Sequence, residues 1–179
     1  MTTFAIRQYG DPVLRQPAKE IDEIDGRVAK LAEDMIETMQ ATGHGVGLAA
    51  NQVGVQRRLF VYDIGDGPVV VVNPRIVESS GEWTYEEGCL SVPGLSWPIV
   101  RPGLVHLAGF DLDGNEISIE ADELGGRVFQ HEIDHLDGVL LLERLDEDQR
   151  REAKAILRAR ALQLPDGDHD GLSTLRPDE

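Results

Sequence analysis

Hydrophobic positions recur at helical spacing in three parts of the chain and alternate with polar ones in much of the rest. Val28, Leu31, Met35, Ile36 and Met39 share one face of a helix predicted over 27–42, which Gly43 ends. The two methionines on that face read as core filling. Leu124, Val128, His131 and His135 keep the same period. They predict a second helix with one inward stripe, capped by Asp122 and closed by Gly138. Asp146 and Gln149 form a capping box for a third helix, with Ala153, Ile156 and Leu157 available for packing. Asp11-Pro12 opens a short helical turn through Arg15.

Between these helices, β-rich runs at 57–63 and 69–77 flank Gly65-Asp66-Gly67, and runs at 104–112 and 116–120 flank Asp113-Gly114-Asn115. Both patterns predict hairpins. Asn73-Pro74 marks a bulge or strand end, and 82–90 predicts another strand. Val92-Pro93-Gly94 and Trp97-Pro98 predict broken chain. Residues 43–52 open with three glycines in five residues and read as a loop whose backbone lets another group come close. His44 in that stretch reads as a loop histidine.

Length and composition narrow this picture. The 179 residues, 41% of them hydrophobic, suit one catalytic-sized domain over 1–164, with an acidic tail over 165–179. No apolar run approaches bilayer length, and the N-terminus lacks a basic segment followed by an apolar one, so neither membrane nor secretion is expected. A single cysteine excludes an internal disulfide and fits a reducing, cytoplasmic setting. A net charge of −16 argues against broad nucleic-acid binding. Against that background Arg150, Arg151, Lys154, Arg158 and Arg160 gather on the third helix, either as a solvated face or as a surface for RNA or a ribosome. No dimer seam is visible, so a monomer is expected.

Candidate chemistry centres on Gln130-His131-Glu132-Ile133-Asp134-His135-Leu136-Asp137-Gly138. Residues four apart on a helix share a face, so His131 and His135 can reach one metal ion. Glu132 then suits a general base acting on water. Gly125 and Gly126 each cost about 1 kcal/mol of helix propensity relative to alanine, or else admit close backbone packing. Two histidines need a third ligand. Downstream, Glu143 is the nearest acid. Cys89, in Glu86-Glu87-Gly88-Cys89-Leu90-Ser91, is the better candidate, against the alternative of a small buried hydrophobe. One thiolate and two imidazoles suit Fe(II), Zn(II), Ni(II) or Co(II). Gln52 is either an amide donor to a developing oxyanion or a solvated amide. Glu87 and Arg101 are candidates to pair behind Cys89. Asp134 reads as a support of the same kind or a surface acid. Arg127 reads as a bulky charge near the substrate pocket.

Three segments in order, Gly45–Gln52, Glu87–Ser91 and Gln130–Gly138, make the chain similar to bacterial peptide deformylases over nearly its whole length. The resemblance implies an α+β fold, antiparallel sheets packed around a central metal-binding helix, with a C-terminal helix. It implies hydrolysis of the N-formyl group from the formyl-methionine of nascent polypeptides, releasing formate. The family's ligands fall on Cys89, His131 and His135, its base on Glu132, and its oxyanion donors on the Gln52 side chain and the Leu90 N–H. Val46 and Gly47 resemble the residues that pair with substrate backbone, and Fe(II) is the ion the family favours. Val46, Leu90 and helix side chains would line the methionine pocket. Rival readings are a metalloprotease cutting internal peptide bonds, a catalytically silent ribosome-binding module, and a structural metal site, which would want a fourth ligand.

Overall fold

The computed structural model describes residues 3–162, in which seven strands and three α-helices form an α+β architecture with antiparallel sheets. The tail expected from 165, with His169, lies outside the described residues. The described residues up to Arg144 make one compact unit, and a second begins at Leu145.

In the first unit a 3₁₀ turn (Pro12–Arg15) leads to α1 (Gly26–Ala41). Asp11 and Asp25 accept the first free N–H groups of these two elements. The large sheet runs β1 (Gly47–Ala49), β2 (Leu59–Tyr62), β3 (Val69–Ser80), β6 (Leu104–Phe110), β7 (Glu116–Asp122). The other two strands, β4 (Trp83–Cys89) and β5 (Val92–Arg101), form a separate ribbon. Next come α2 (Glu123–Leu136) and a 3₁₀ turn over Leu141–Arg144.

Strand alternation divides the core. In β2, Leu59 and Val61 join Val28, Ala32, Met35 and Met39 of α1, whereas Phe60 and Tyr62 join Val128, Phe129, Ile133 and Leu136 of α2. The sheet is therefore covered by a helix on each face, and all four β2 residues are buried. Tyr62 meets Phe129 edge-on at 5.1 Å, and Phe60 lies 6.2 Å from the same ring. The paired glycines of α2 serve close packing: a Cβ on Gly126 would stand 3.0 Å from the Ala121 carbonyl oxygen.

Three local expectations are corrected. Residues 43–52 are not all loop: Gly47–Ala49 pairs with Tyr62–Phe60, and Ala50–Val53 makes a 3₁₀ turn. Three residues are too few for periodicity to reveal a strand. The prolines at 93 and 98 do not break the chain, because β5 has a strand partner on one side only and its open edge tolerates a residue without an N–H. The α2 helix is buried nearly all round, from Gly125 to Phe129 and again from Glu132 to Leu136, and not along one stripe. Arg127, His131 and Asp134 face a second layer, the ribbon, which hydrophobic periodicity cannot report. By contrast, the bulge at Asn73-Pro74 is present as a register shift between Val72 and Arg75.

In the second unit, Asp146 and Gln149 make the capping box of α3 (Glu147–Ala161). Arg151, Lys154, Arg158 and Arg160 are exposed along that helix.

Gly138 closes α2 with φ +75°, and a Cβ there would meet the Arg15 carbonyl oxygen at 2.7 Å. Gly138→Ala should cost at least about 1 kcal/mol from the left-handed backbone alone, with the clash added. Urea unfolding should show a lower midpoint at unchanged slope; an unchanged midpoint would mean the α2–Arg15 junction relaxes freely.

Candidate metal centre

One turn of α2 separates His131 from His135, and their Nε2 atoms lie 3.2 Å apart. Cys89 ends β4, where the β4–β5 register shifts between Gly88 and Cys89 so that Cys89 pairs with Val92. That shift brings Sγ to 3.2 Å from His135 Nε2. All three donor atoms lie within 4.8 Å of one another, and among the described residues no other three His, Cys, Asp or Glu side chains do so. Glu143 is not part of the group; it pairs with Arg15 at 2.6 Å. Burial by itself raises the Cys89 thiol, but the charge of His135 and hydrogen bonds from both imidazoles outweigh it and hold the thiol well below its usual range. A thiolate with two imidazoles is a soft set that fits a divalent transition ion, and three protein donors leave a position open for water or substrate.

Behind these ligands sits a buried ionic network. Glu87 Oε1 lies 2.6 Å from His131 Nδ1 and accepts from Arg101 Nη2 at 2.6 Å. Its Oε2 accepts from Arg101 Nε at 2.9 Å and Arg127 Nη1 at 3.0 Å. Burial works against the Glu87 carboxylate, yet His131 and Arg101 overcome it and hold the carboxyl below its usual range. Arg101 also reaches Asp134 Oδ2 at 2.6 Å, and Arg144 Nε reaches the same oxygen at 2.9 Å. Asp134 is thus no surface acid; it is 8% exposed. Arg127 is buried as well. It is 3% exposed and is committed to Glu87 and to the carbonyls of Trp83 and Ile99. Its two terminal nitrogens find their partners in the ribbon, while Nε has none.

The remaining candidates surround the three donors. Glu132 is 4% exposed and its Oε2 has no hydrogen-bond partner. Burial raises its carboxyl to about 7. Its carboxyl packs onto the backbone of Gly47, where an added Cβ would clash with Oε1 and stand 2.9 Å from Cδ. A side chain at position 47 would therefore have to push the Glu132 carboxyl aside. Gln52 is 1% exposed, so it is not a solvated amide. Ala49 N–H donates to its Oε1 at 2.9 Å, which fixes the orientation of the amide. Nε2 then lies 3.1 Å from Ser91 Oγ and 3.8 Å from Cys89 Sγ. Val46 accepts the Asp63 N–H at 3.0 Å, so alternation along the chain turns the amide and carbonyl of Gly47 towards the outer edge of β1. Leu90 follows Cys89 in the turn before β5, and a Cβ on Gly45 would meet its Cδ1 at 3.1 Å. The loop and that turn are thus in contact.

Sequence reasoning passed over two residues here. Ser91 holds the Gln52 amide, and the Asn51 side chain donates to the His135 carbonyl. Each stands beside a residue already singled out, and a buried polar neighbour of such a residue is the signal that could have found it.

Residues 3–151 match the family described as polypeptide deformylase. A peptide deformylase of Clostridium botulinum is 50% identical over 139 residues, covering 78% of this chain and 94% of that one. A crystal structure of a peptide deformylase from Legionella pneumophila superposes with a TM-score of 0.84 at 39% identity, over 90% of this chain and 98% of that one. The Thermotoga maritima enzyme structure does so with a TM-score of 0.79 at 44% identity, over 82% and 99%.

Glu87→Gln removes the charge that faces His131 while keeping the shape of the side chain. Chelator competition should show metal affinity lower by about 10–100-fold. Unchanged affinity would show that the carboxylate charge has no hold on the ligand.

Proposed function

The chain belongs to the polypeptide deformylase family, and we propose that the residues gathered around Cys89 divide that family's reaction among them. The reaction is hydrolysis of the N-formyl group from the formyl-methionine of new polypeptides, releasing formate. Cys89, His131 and His135 are the residues to hold one divalent ion, which we take to be Fe(II) on the family resemblance; the donor set also suits Zn(II), Ni(II) or Co(II). Such an ion supplies Lewis-acid polarisation and acidifies water at the open position.

The chain's own groups do the rest. Glu132 takes the proton from the attacking water and later returns it to the leaving amine nitrogen. Its burial, its free Oε2 and a carboxyl raised to about 7 suit both directions of transfer. Gln52 Nε2 and the Leu90 N–H donate to the formyl oxygen as it gains charge. Gly47, on the outer edge of β1, pairs with the backbone of the peptide as an added strand would, beside Val46. The observation that carries this reading is a buried, unpartnered carboxyl next to three converging donors.

Outside the site, the exposed basic residues of α3 are read as a contact for the ribosome, and the protein as a cytoplasmic monomer. No described helix is long and apolar enough to cross a membrane.

The direct test is formate release from formyl-Met-Ala-Ser by anaerobically purified protein. Glu132→Ala at equal metal content should abolish it. Formate from that variant at the parental rate would remove Glu132 from the chemistry. Gln52→Ala should lower kcat by about 10²–10³-fold, the value of one such donor. Gly47→Ala should lower kcat by displacing Glu132 while leaving metal content unchanged; parental kcat would show that the carboxyl has room to shift without losing its function.

A further inference from the structure

The β4–β5 ribbon shares no ladder with the large sheet. Yet Cys89 stands on β4, and both histidines stand on α2. The separation of thiol and imidazoles therefore depends on what fastens the ribbon to the helix. Arg127 is placed to do this. It lies on α2 four residues before His131, on the same face one turn away. Its guanidinium donates to the Trp83 carbonyl at 2.6 Å, where β4 begins, and to the Ile99 carbonyl of β5 at 3.1 Å. It also donates to Glu87 Oε2 at 3.0 Å, two residues before Cys89. One side chain thus ties both strands of the ribbon to the helix that carries the imidazoles. The Trp83 and Tyr85 rings, stacked 4.9 Å apart, lie 5.2 and 6.0 Å from the guanidinium carbon.

Arg101 also fastens the ribbon to α2, from β5 through Asp134, but it takes side chains only, Glu87 and Asp134, and leaves the Trp83 and Ile99 carbonyls to Arg127. If Arg127 were lost, Glu87 would keep its Arg101 contacts, but the carbonyls of Trp83 and Ile99 would lose their link to α2. The fork geometry matters, since a single ammonium cannot span three acceptors on two strands as a planar guanidinium does.

We propose that Arg127 is a positioning residue of the metal centre: by clamping both ribbon strands to α2 it sets the distance from Cys89 to the two histidines and keeps Glu87 on His131. The proposal rests on Cys89, His131 and His135 being the ligands. The test uses the full chain loaded with Co(II), as Arg127→Met, Arg127→Lys and Cys89→Ser beside the parent. Three quantities are read: Co(II) affinity by chelator competition, the thiolate-to-cobalt absorption band, and the melting temperature of the metal-free protein.

Affinity should fall in the order parent, Lys, Met, with Met about 10–100-fold below the parent. The thiolate band should weaken or shift in the same order. A lower melting temperature with parental affinity and band, in whichever Arg127 variant folds, would show that Arg127 only packs the ribbon, and would overturn the proposal. Cys89→Ser should lose the band outright. If it keeps the band, the ligand assignment has failed and the proposal falls with it. If it loses the band while both Arg127 variants keep theirs, the proposal alone has failed.

Discussion

Glu87 is a carboxylate removed from water, and such a group persists as an anion only when its oxygens are taken by strong donors. Here two hydrogen bonds come from Arg101, one from Arg127, and His131 Nδ1 completes the set. Each donor belongs to a different part of the framework: β5, the turn of α2 before the ligands, and the ligand turn of α2. Satisfying one buried charge thereby assembles the ribbon, the helix and the first imidazole in one arrangement. Removing a single partner from such a set costs far more than the set adds in net stability, which makes the arrangement all-or-none.

This network also accounts for where positive charge sits in an acidic chain. With a net charge of −16, most acids face solvent, and the exposed pairs of α1 and α3 contribute little. Arg101 and Arg127 instead lie inside, against Glu87, with Arg101 extending to Asp134. Within this network two carboxylates, Glu87 and Asp134, face two guanidiniums, Arg101 and Arg127, so its charges balance among themselves.

The sequence made the elements readable where they are long and periodic. The period of α1, both hairpins, the 3₁₀ turn at Pro12 and the α3 capping box all appear as expected. So does the convergence of Cys89 with His131 and His135, which lie more than 40 positions apart in the chain. What stayed hidden was contact between elements. The three-residue β1 is held by β2 rather than by its own propensity. A continuous β5 needs β4 beside it to outweigh two prolines. The partners of Arg127 stayed hidden because nothing in a linear pattern reveals two backbone carbonyls and a carboxylate waiting on other strands.

The Gln52 side chain shows what such contacts achieve. Because the Ala49 N–H occupies Oε1, the amide cannot turn over without leaving a buried backbone donor empty. Oxygen and nitrogen differ little in size, and shape alone would not tell the two ends apart. Backbone direction at Ala49 therefore decides which end of the amide faces the thiol, and the polarity of the site is inherited from the path of the chain.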